Sequence, residues 1–259
     1  GSEMCIRDRQ KTMKKTICLW ALLLIVVSCT NDDNYNDEHG DKAVIPPKGR
    51  IIRIMTYNIY GARATSPANA ADLDALAEVI RRQDPDFVTL NEVDVFTNRT
   101  GKDVHQARDL AAKLGMEWHF SKAIDRDGGE YGEGVTTRKK AVNKFSVALP
   151  KGVGAEPRVL VVMEMEDYVI CTSHLDHVSS EAQLGQVELI TKTMKERYGD
   201  SGKPVFLGGD MNATPSSETG KLLQKDWEIL TITGFGTFPS DNPCLLYTSP
   251  SPRDRSLSR

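Results

Sequence analysis

From about Ile51 onward, short apolar runs alternate with amphipathic stretches. Ile51-Ile52-Arg53-Ile54-Met55-Thr56-Tyr57-Asn58 is rich in β-branched residues and predicts a strand. Ser66-Pro67 offers an N-cap and a first-turn proline. Leu73, Leu76, Ala77 and Ile80 then fall at i, i+3, i+4 and i+7, one apolar helix stripe. Asp84-Pro85-Asp86 predicts a turn, Phe87-Val88-Thr89-Leu90 a buried strand, and Ala107, Leu110, Ala111 and Leu114 a second helix. Val159–Met165 and Tyr168–Ser173 read as strands joined by the polar Glu166-Asp167 turn, a hairpin. A helix carrying Val187, Ile190 and Met194 follows, and then the strand Pro204-Val205-Phe206-Leu207, which Gly208-Gly209 is expected to end. The glycine-rich, charged segment between Asp125 and Lys144 reads as a long loop over one end of the domain. No internal repeat is visible. This order suits a two-layer β-sandwich flanked by helices or a doubly wound α/β sheet, and pattern alone does not separate them.

Composition narrows the class without choosing a function. The 259 residues are 39% hydrophobic, enough for a real core, and 27% charged. A net charge of −3 carries no polyanion-binding signature, which weighs against a non-specific duplex binder without excluding a nuclease. Of the five cysteines, only Cys171 lies in the expected domain, so no disulfide framework supports it.

Both ends read differently from the middle. Met13-Lys14-Lys15 opens a basic segment, and the apolar run Ile17 to Val27 has the length of a signal-peptide core. Val26-Val27-Ser28-Cys29 resembles a bacterial lipobox, which makes Cys29 the expected lipidation site at the end of a signal peptide spanning 13–29. Asn31, Asp32, Asp33, Asn34 and Asn36 begin a polar tether over 30–49. Such leaders resemble those of Bacteroidetes lipoproteins, implying an extracytoplasmic protein anchored by lipid to a bacterial membrane, with display on the outer surface as one form of it. The alternative is a plain signal peptide with an incidental cysteine.

Residues 1–12 precede a complete signal, and 244–259 are equally out of character. Met4-Cys5-Ile6-Arg7-Asp8 back-translates to ATG TGT ATA AGA GAC, whose reverse complement is GTC TCT TAT ACA CAT. Cys244 to Ser249 can be written TGT CTC TTA TAC ACA TCT, which contains that string in another frame. One element read on opposite strands at both ends resembles a sequencing adapter. The expectation is that both ends are artefacts, that the domain spans 50–243, and that nothing beyond Pro243 continues the fold.

Four predicted strands each end in a residue suited to metal or phosphate chemistry: Asn58, Glu92, His174 and Asp210. Any one alone is more often an ordinary turn residue. Together, with Asn212 two positions beyond Asp210 and so expected on the same side of an extended segment, they form a constellation. Mg²⁺ takes oxygen ligands, often one or two carboxylates plus water and phosphate, and Glu92 with Asn58 meets that sparse demand. Cysteine and histidine spacing for structural zinc is absent.

The strings Met55-Thr56-Tyr57-Asn58-Ile59, Leu90-Asn91-Glu92-Val93-Asp94, Thr172-Ser173-His174-Leu175-Asp176-His177 and Gly208-Gly209-Asp210-Met211-Asn212-Ala213-Thr214-Pro215 resemble, in order, the motifs of the endonuclease/exonuclease/phosphatase superfamily. The resemblance implies an α+β fold of the deoxyribonuclease I type, a two-layer β-sandwich flanked by helices, here missing its last strands. It implies a metal-dependent phosphoesterase that attacks a phosphodiester or phosphomonoester with activated water. Glu92 would be the principal metal ligand, supported by Asn58, and the ion would be Mg²⁺ or its hard relative Mn²⁺. Asp210 would orient or deprotonate the water, Asn212 would hold a phosphate oxygen, and His174 would bind the phosphoryl group. Arg99, in the loop after the Glu92 motif, is a weaker candidate substrate contact, with a solvated loop arginine as the alternative. Asp176 and His177 are either supports for the site or surface residues.

Two departures matter. Relatives carry Gly-Asn where this chain has Gly132-Glu133, which puts phosphate contacts from that segment in doubt. The family pattern also continues with an Ile-Asp-Tyr strand and a final Ser-Asp-His after Pro243, and neither is present. The activity is therefore expected of a longer parent, with the chain as it stands inactive. The expected partners are a phosphate-ester substrate and a membrane, met through the lipid anchor. Nucleic acid, lipid head groups, inositol phosphates and sugar phosphates all stay open as substrates, and a monomer is expected. The competing class is a surface lipoprotein that binds a ligand or partner on the same fold without catalysis.

Overall fold

The computed structural model describes residues 51–63, 71–153 and 155–231, and the backbone of Leu245–Ser249. The expected signal peptide, Cys29, the tether, and the Ser66-Pro67 helix start all lie outside the described residues. Among the described residues, no helix is long and apolar enough to cross a membrane.

In chain order the elements are β1 (Ile54–Asn58), α1 (Leu73–Gln83), β2 (Phe87–Val95), α2 (Gln106–Leu114), β3 (Glu117–Arg126), β4 (Gly129–Thr137), β5 (Asn143–Ala148), β6 (Val159–Glu164), β7 (Val169–His174), α3 (Ser180–Tyr198), β8 (Val205–Ala213), α4 (Glu218–Asp226) and β9 (Leu245–Ser249). They build a four-stranded sheet, β1-β2-β4-β3, and a five-stranded sheet, β5-β6-β7-β8-β9. This is the α+β sandwich, not the doubly wound sheet.

Alternation along single strands shows how the layers are held. In β6, Val159, Val161 and Met163 face one cluster with Phe87, Ile170 and Phe206. Their neighbours Leu160 and Val162 face another with Val187, Ile190 and Met194 of α3. Both faces of β6 are therefore buried, which explains why its sequence is continuously apolar instead of alternating with polar residues. A third cluster joins Val88 and Leu90 of β2 to Ala77 and Ile80 of α1 and Leu110 of α2. Helices thus cover the outer face of each sheet.

The predicted helices and the β6–β7 hairpin are present. Helix α1 starts at Leu73, where the Asp72 side chain accepts from the Ala75 amide at 2.9 Å. An aspartate directly before the apolar stripe is the nearer cap. The segment expected to be a loop between Asp125 and Lys144 instead contains β4, the third strand of its sheet. Its glycines have a packing reason, since a side chain on Gly132 would strike the Ser121 carbonyl of β3. Nor do Gly208 and Gly209 end β8, which runs on to Ala213. At Gly208 a side chain would collide with the Thr89 and Thr56 hydroxyls of the facing sheet, so glycine lets the two layers close there. Beyond Pro243, where no further element was expected, the backbone of β9 pairs antiparallel with β8. Backbone ladders ask only for an open edge and an extended partner, not for particular side chains.

Candidate active site

Each sheet contains one parallel pair joined by a crossover helix, β1–β2 through α1 and β7–β8 through α3. In register, Asn58 lies beside Asn91 in the first pair, and His174 beside Asp210 in the second. Close packing at Gly208 then brings the two pairs together.

Asn58 forms the junction. Its Nδ2 donates to Glu92 Oε1 at 2.8 Å and to Asp210 Oδ2 at 3.2 Å, while its Oδ1 accepts from the Tyr60 amide at 3.1 Å. Glu92 does not end its strand as expected. It sits inside β2, at an irregularity between Leu90 and Val93, with a φ of 60°. A regular strand would send Asn91 and Glu92 to opposite faces, and a bulge re-aims one of them. Asn91 reaches Asp210 directly, its Oδ1 accepting from the Asp210 amide at 2.9 Å, and Glu92 is linked to it through Asn58.

Asn212 departs from simple alternation too. Its φ is 46°, its amide donates to Asp210 Oδ1 at 3.1 Å, and its Nδ2 donates to the Leu175 carbonyl at 2.9 Å. It ties the end of β8 to the turn after His174. His174 is buried, with Nε2 3.9 Å from Asp210 Oδ2, beyond hydrogen-bond reach. Burial, with the cation of Arg158 and the His177 ring adding to it, pushes its pKa down to about 3. At neutral pH it is an uncharged ring that can donate one N–H.

Glu133, the departure noted from sequence, is completely buried, and burial pushes its pKa up to about 8. Its Oε2 accepts from Asn91 Nδ2 at 2.6 Å, and the same Nδ2 donates to the Ser173 carbonyl at 3.1 Å. Glu133 therefore braces Asn91, which in turn holds Asp210.

Arg99, expected as a weak substrate contact or a solvated loop residue, is tied down by an ion pair. Its Nε and Nη2 both reach the Asp94 carboxylate at 2.7 Å, and the Asp94 side chain is fully buried. Asp176 is buried and accepts from the Val178 and Ser179 amides at 2.6 and 2.7 Å, a support for the loop. His177 is exposed.

Sequence reasoning passed over Asn91 and Arg158. Asn91 stood inside a recognised string, and its neighbour Glu92 drew the attention. Arg158 is a lone arginine before an apolar strand, and only its burial, at 3% exposure, marks it.

Among the described residues no three His, Cys, Asp or Glu side chains gather as a metal cage. The set is a sparse oxygen one. Glu92 and Asp210 approach one another with only the polarised hydrogens of the Asn58 amide between them. A small hard cation would fit between those carboxylate oxygens with the Asn58 amide turned, because Nδ2 now donates to them and Oδ1 accepts from the Tyr60 amide.

The model of the Endonuclease/Exonuclease/phosphatase family matches residues 55–256. No curated protein matches the sequence. Among solved structures, a mannosyl-6-phosphatase of Bacteroides thetaiotaomicron is similar with a TM-score of 0.60 and 17% identity, covering 78% of this chain and 86% of that one. The human Nocturnin catalytic domain with bound sulfate is similar with a TM-score of 0.58 and 18% identity, covering 77% and 82%. A family protein from Bacteroides vulgatus has a TM-score of 0.58 and 20% identity, covering 78% and 87%. At these identities the likeness is one of fold.

Proposed function

We propose that this chain, which belongs to the Endonuclease/Exonuclease/phosphatase family, carries the hydrolytic site of a metal-dependent phosphoesterase. The reaction is attack of water on a phosphate ester, and its assay needs a protein that also carries the Ser-Asp-His segment expected from the family motif. The observation that carries this reading is the Asn58 amide joining Glu92 and Asp210 across the two sheets.

Asp210 is the base that accepts a proton from the attacking water. Its backbone is fixed by Asn91, and one oxygen accepts from the Asn212 amide, so the other carboxylate edge is aimed. His174, held uncharged, donates one N–H to a phosphoryl oxygen as negative charge builds there. The Asn212 side chain is committed to the Leu175 carbonyl and acts by holding the His174 turn in place. Glu92, with Asn58, would hold Mg²⁺ or Mn²⁺, which when bound supplies charge neutralisation and a more acidic water. The polar leader supports an extracytoplasmic protein anchored through Cys29.

The test is hydrolysis of a model phosphodiester by that protein with Mg²⁺. Glu92→Ala and Asp210→Ala are each expected to lower turnover by orders of magnitude. Unchanged turnover in both variants contradicts the assignment. For the anchor, Cys29→Ser is expected to abolish fatty-acid labelling, and persistent labelling contradicts it.

A further inference from the structure

We propose that His177 is a substrate contact, donating its Nε2–H to a non-reacting oxygen of the phosphate group, and that Arg158 positions it for this.

Arg158 stands in a costly arrangement. Arg158 is buried just before β6, yet its nearest carboxylate oxygen, on Glu156, lies 3.7 Å away, and its Nε has no hydrogen-bond partner. A buried cation without a close counter-ion is expensive, so its placement calls for a reason. Its Nη2 lies 3.2 Å from His177 Nδ1. A guanidinium only donates, so Nδ1 is the acceptor and the ring proton sits on Nε2. The ring is exposed, and the nitrogen facing away from Arg158 is the donor.

The loop carrying this ring is fixed on both sides. Asp176, immediately before it, donates its amide to Gln186 Oε1 at 2.9 Å and accepts at its carbonyl from Gln183 Nε2 at 2.6 Å. That same Gln183 nitrogen lies 3.1 Å from the Asn212 carbonyl, which locks the His177 loop to the end of β8 where Asp210 stands. After it, the Val178 and Ser179 amides are held by the Asp176 carboxylate. The His177 ring itself is held by Arg158 alone, on a loop that the Asp176 bonds fix three residues after His174, and the exposed ring buries little apolar surface. An anion there would meet the His177 donor with the Arg158 charge behind it. The inference rests on the reading of the site as a phosphoesterase.

The test titrates inorganic phosphate into the chain with Mg²⁺ while following the histidine ring nitrogens by long-range ¹H–¹⁵N NMR. The His177 ring is expected to show an unprotonated Nδ1 before phosphate, and its Nε2 resonance is expected to shift on addition. His177→Ala is expected to weaken phosphate binding about tenfold, the loss of one charge-assisted hydrogen bond, with His177→Gln recovering most of it. The proposal is overturned if His177 holds its proton on Nδ1, if its signals ignore phosphate, or if His177→Ala binds phosphate as the parent does. Titration of Mg²⁺ alone into the same samples separates the two ideas. Metal binding lost in Glu92→Gln and kept in His177→Ala leaves the phosphoesterase reading standing whatever His177 does.

Discussion

The Asn58 side-chain amide donates to Glu92 Oε1 at 2.8 Å and to Asp210 Oδ2 at 3.2 Å, so one residue bridges carboxylates from opposite sheets. Replacing it with Asp sets three carboxylates together. Asn58→Asp is expected to be less stable than the parent by about 1–3 kcal/mol without divalent cation, and the gap is expected to narrow when Mg²⁺ is added. Thermal melts with and without Mg²⁺ measure this. A gap that Mg²⁺ leaves unchanged argues against a cation between these oxygens.

Stability should pass through a maximum with pH, because two buried groups oppose each other. His174, depressed to about 3, stays neutral in the fold while the unfolded ring takes up a proton below about 6.5. Its contribution is present above that value and is lost as pH falls toward 3. Glu133, raised to about 8, keeps its proton in the fold while the unfolded carboxyl has lost it above about 4.5. Its contribution is complete below that value and is lost as pH rises through 8. The two slopes cancel between about 4.5 and 6.5. Denaturant melts across pH are expected to show this plateau, with the alkaline fall flattened in Glu133→Gln. An unchanged alkaline fall in that variant contradicts the assignment.

Arg99 should matter for the fold. Arg99→Ala leaves the Asp94 carboxylate buried without its bidentate partner and is expected to cost about 3–5 kcal/mol. A change within about 0.5 kcal/mol, the range of an ordinary surface substitution, contradicts this.

Gly208 sets the spacing of the two sheets. Gly208→Ala is expected to destabilise by about 1–3 kcal/mol through overpacking against Thr56 and Thr89, with Thr89→Ala recovering part of the loss. Melting temperatures of the single and double variants decide it, and additive losses contradict the spacing argument.

Much of this architecture is written in hydrophobic period. The Leu73–Ile80 stripe, the α3 positions Val187, Ile190 and Met194, and the β6–β7 hairpin all follow from it, because each buries a regular apolar face. Strand β4 does not show in this way, since buried positions in it are filled by Gly132, Gly134 and the charged-type residue Glu133, which read as loop. The ends of β1 and β7 were legible, and so Asn58 and His174 were in place. Glu92 and Asn212 are visible as motif residues, but their left-handed backbones depart from the regular strand geometry that the sequence implies for them. Asn91, Arg158 and Gln183 act through contacts far apart in sequence, for which no local pattern exists.

Calorimetric titration of Mg²⁺ into the chain and into Glu92→Gln decides whether Glu92 and Asn58 hold a divalent cation beside Asp210. A single binding event is expected for the unmutated chain, and its loss in the variant. No binding by the unmutated chain, or equal binding by Glu92→Gln, contradicts a cation held there.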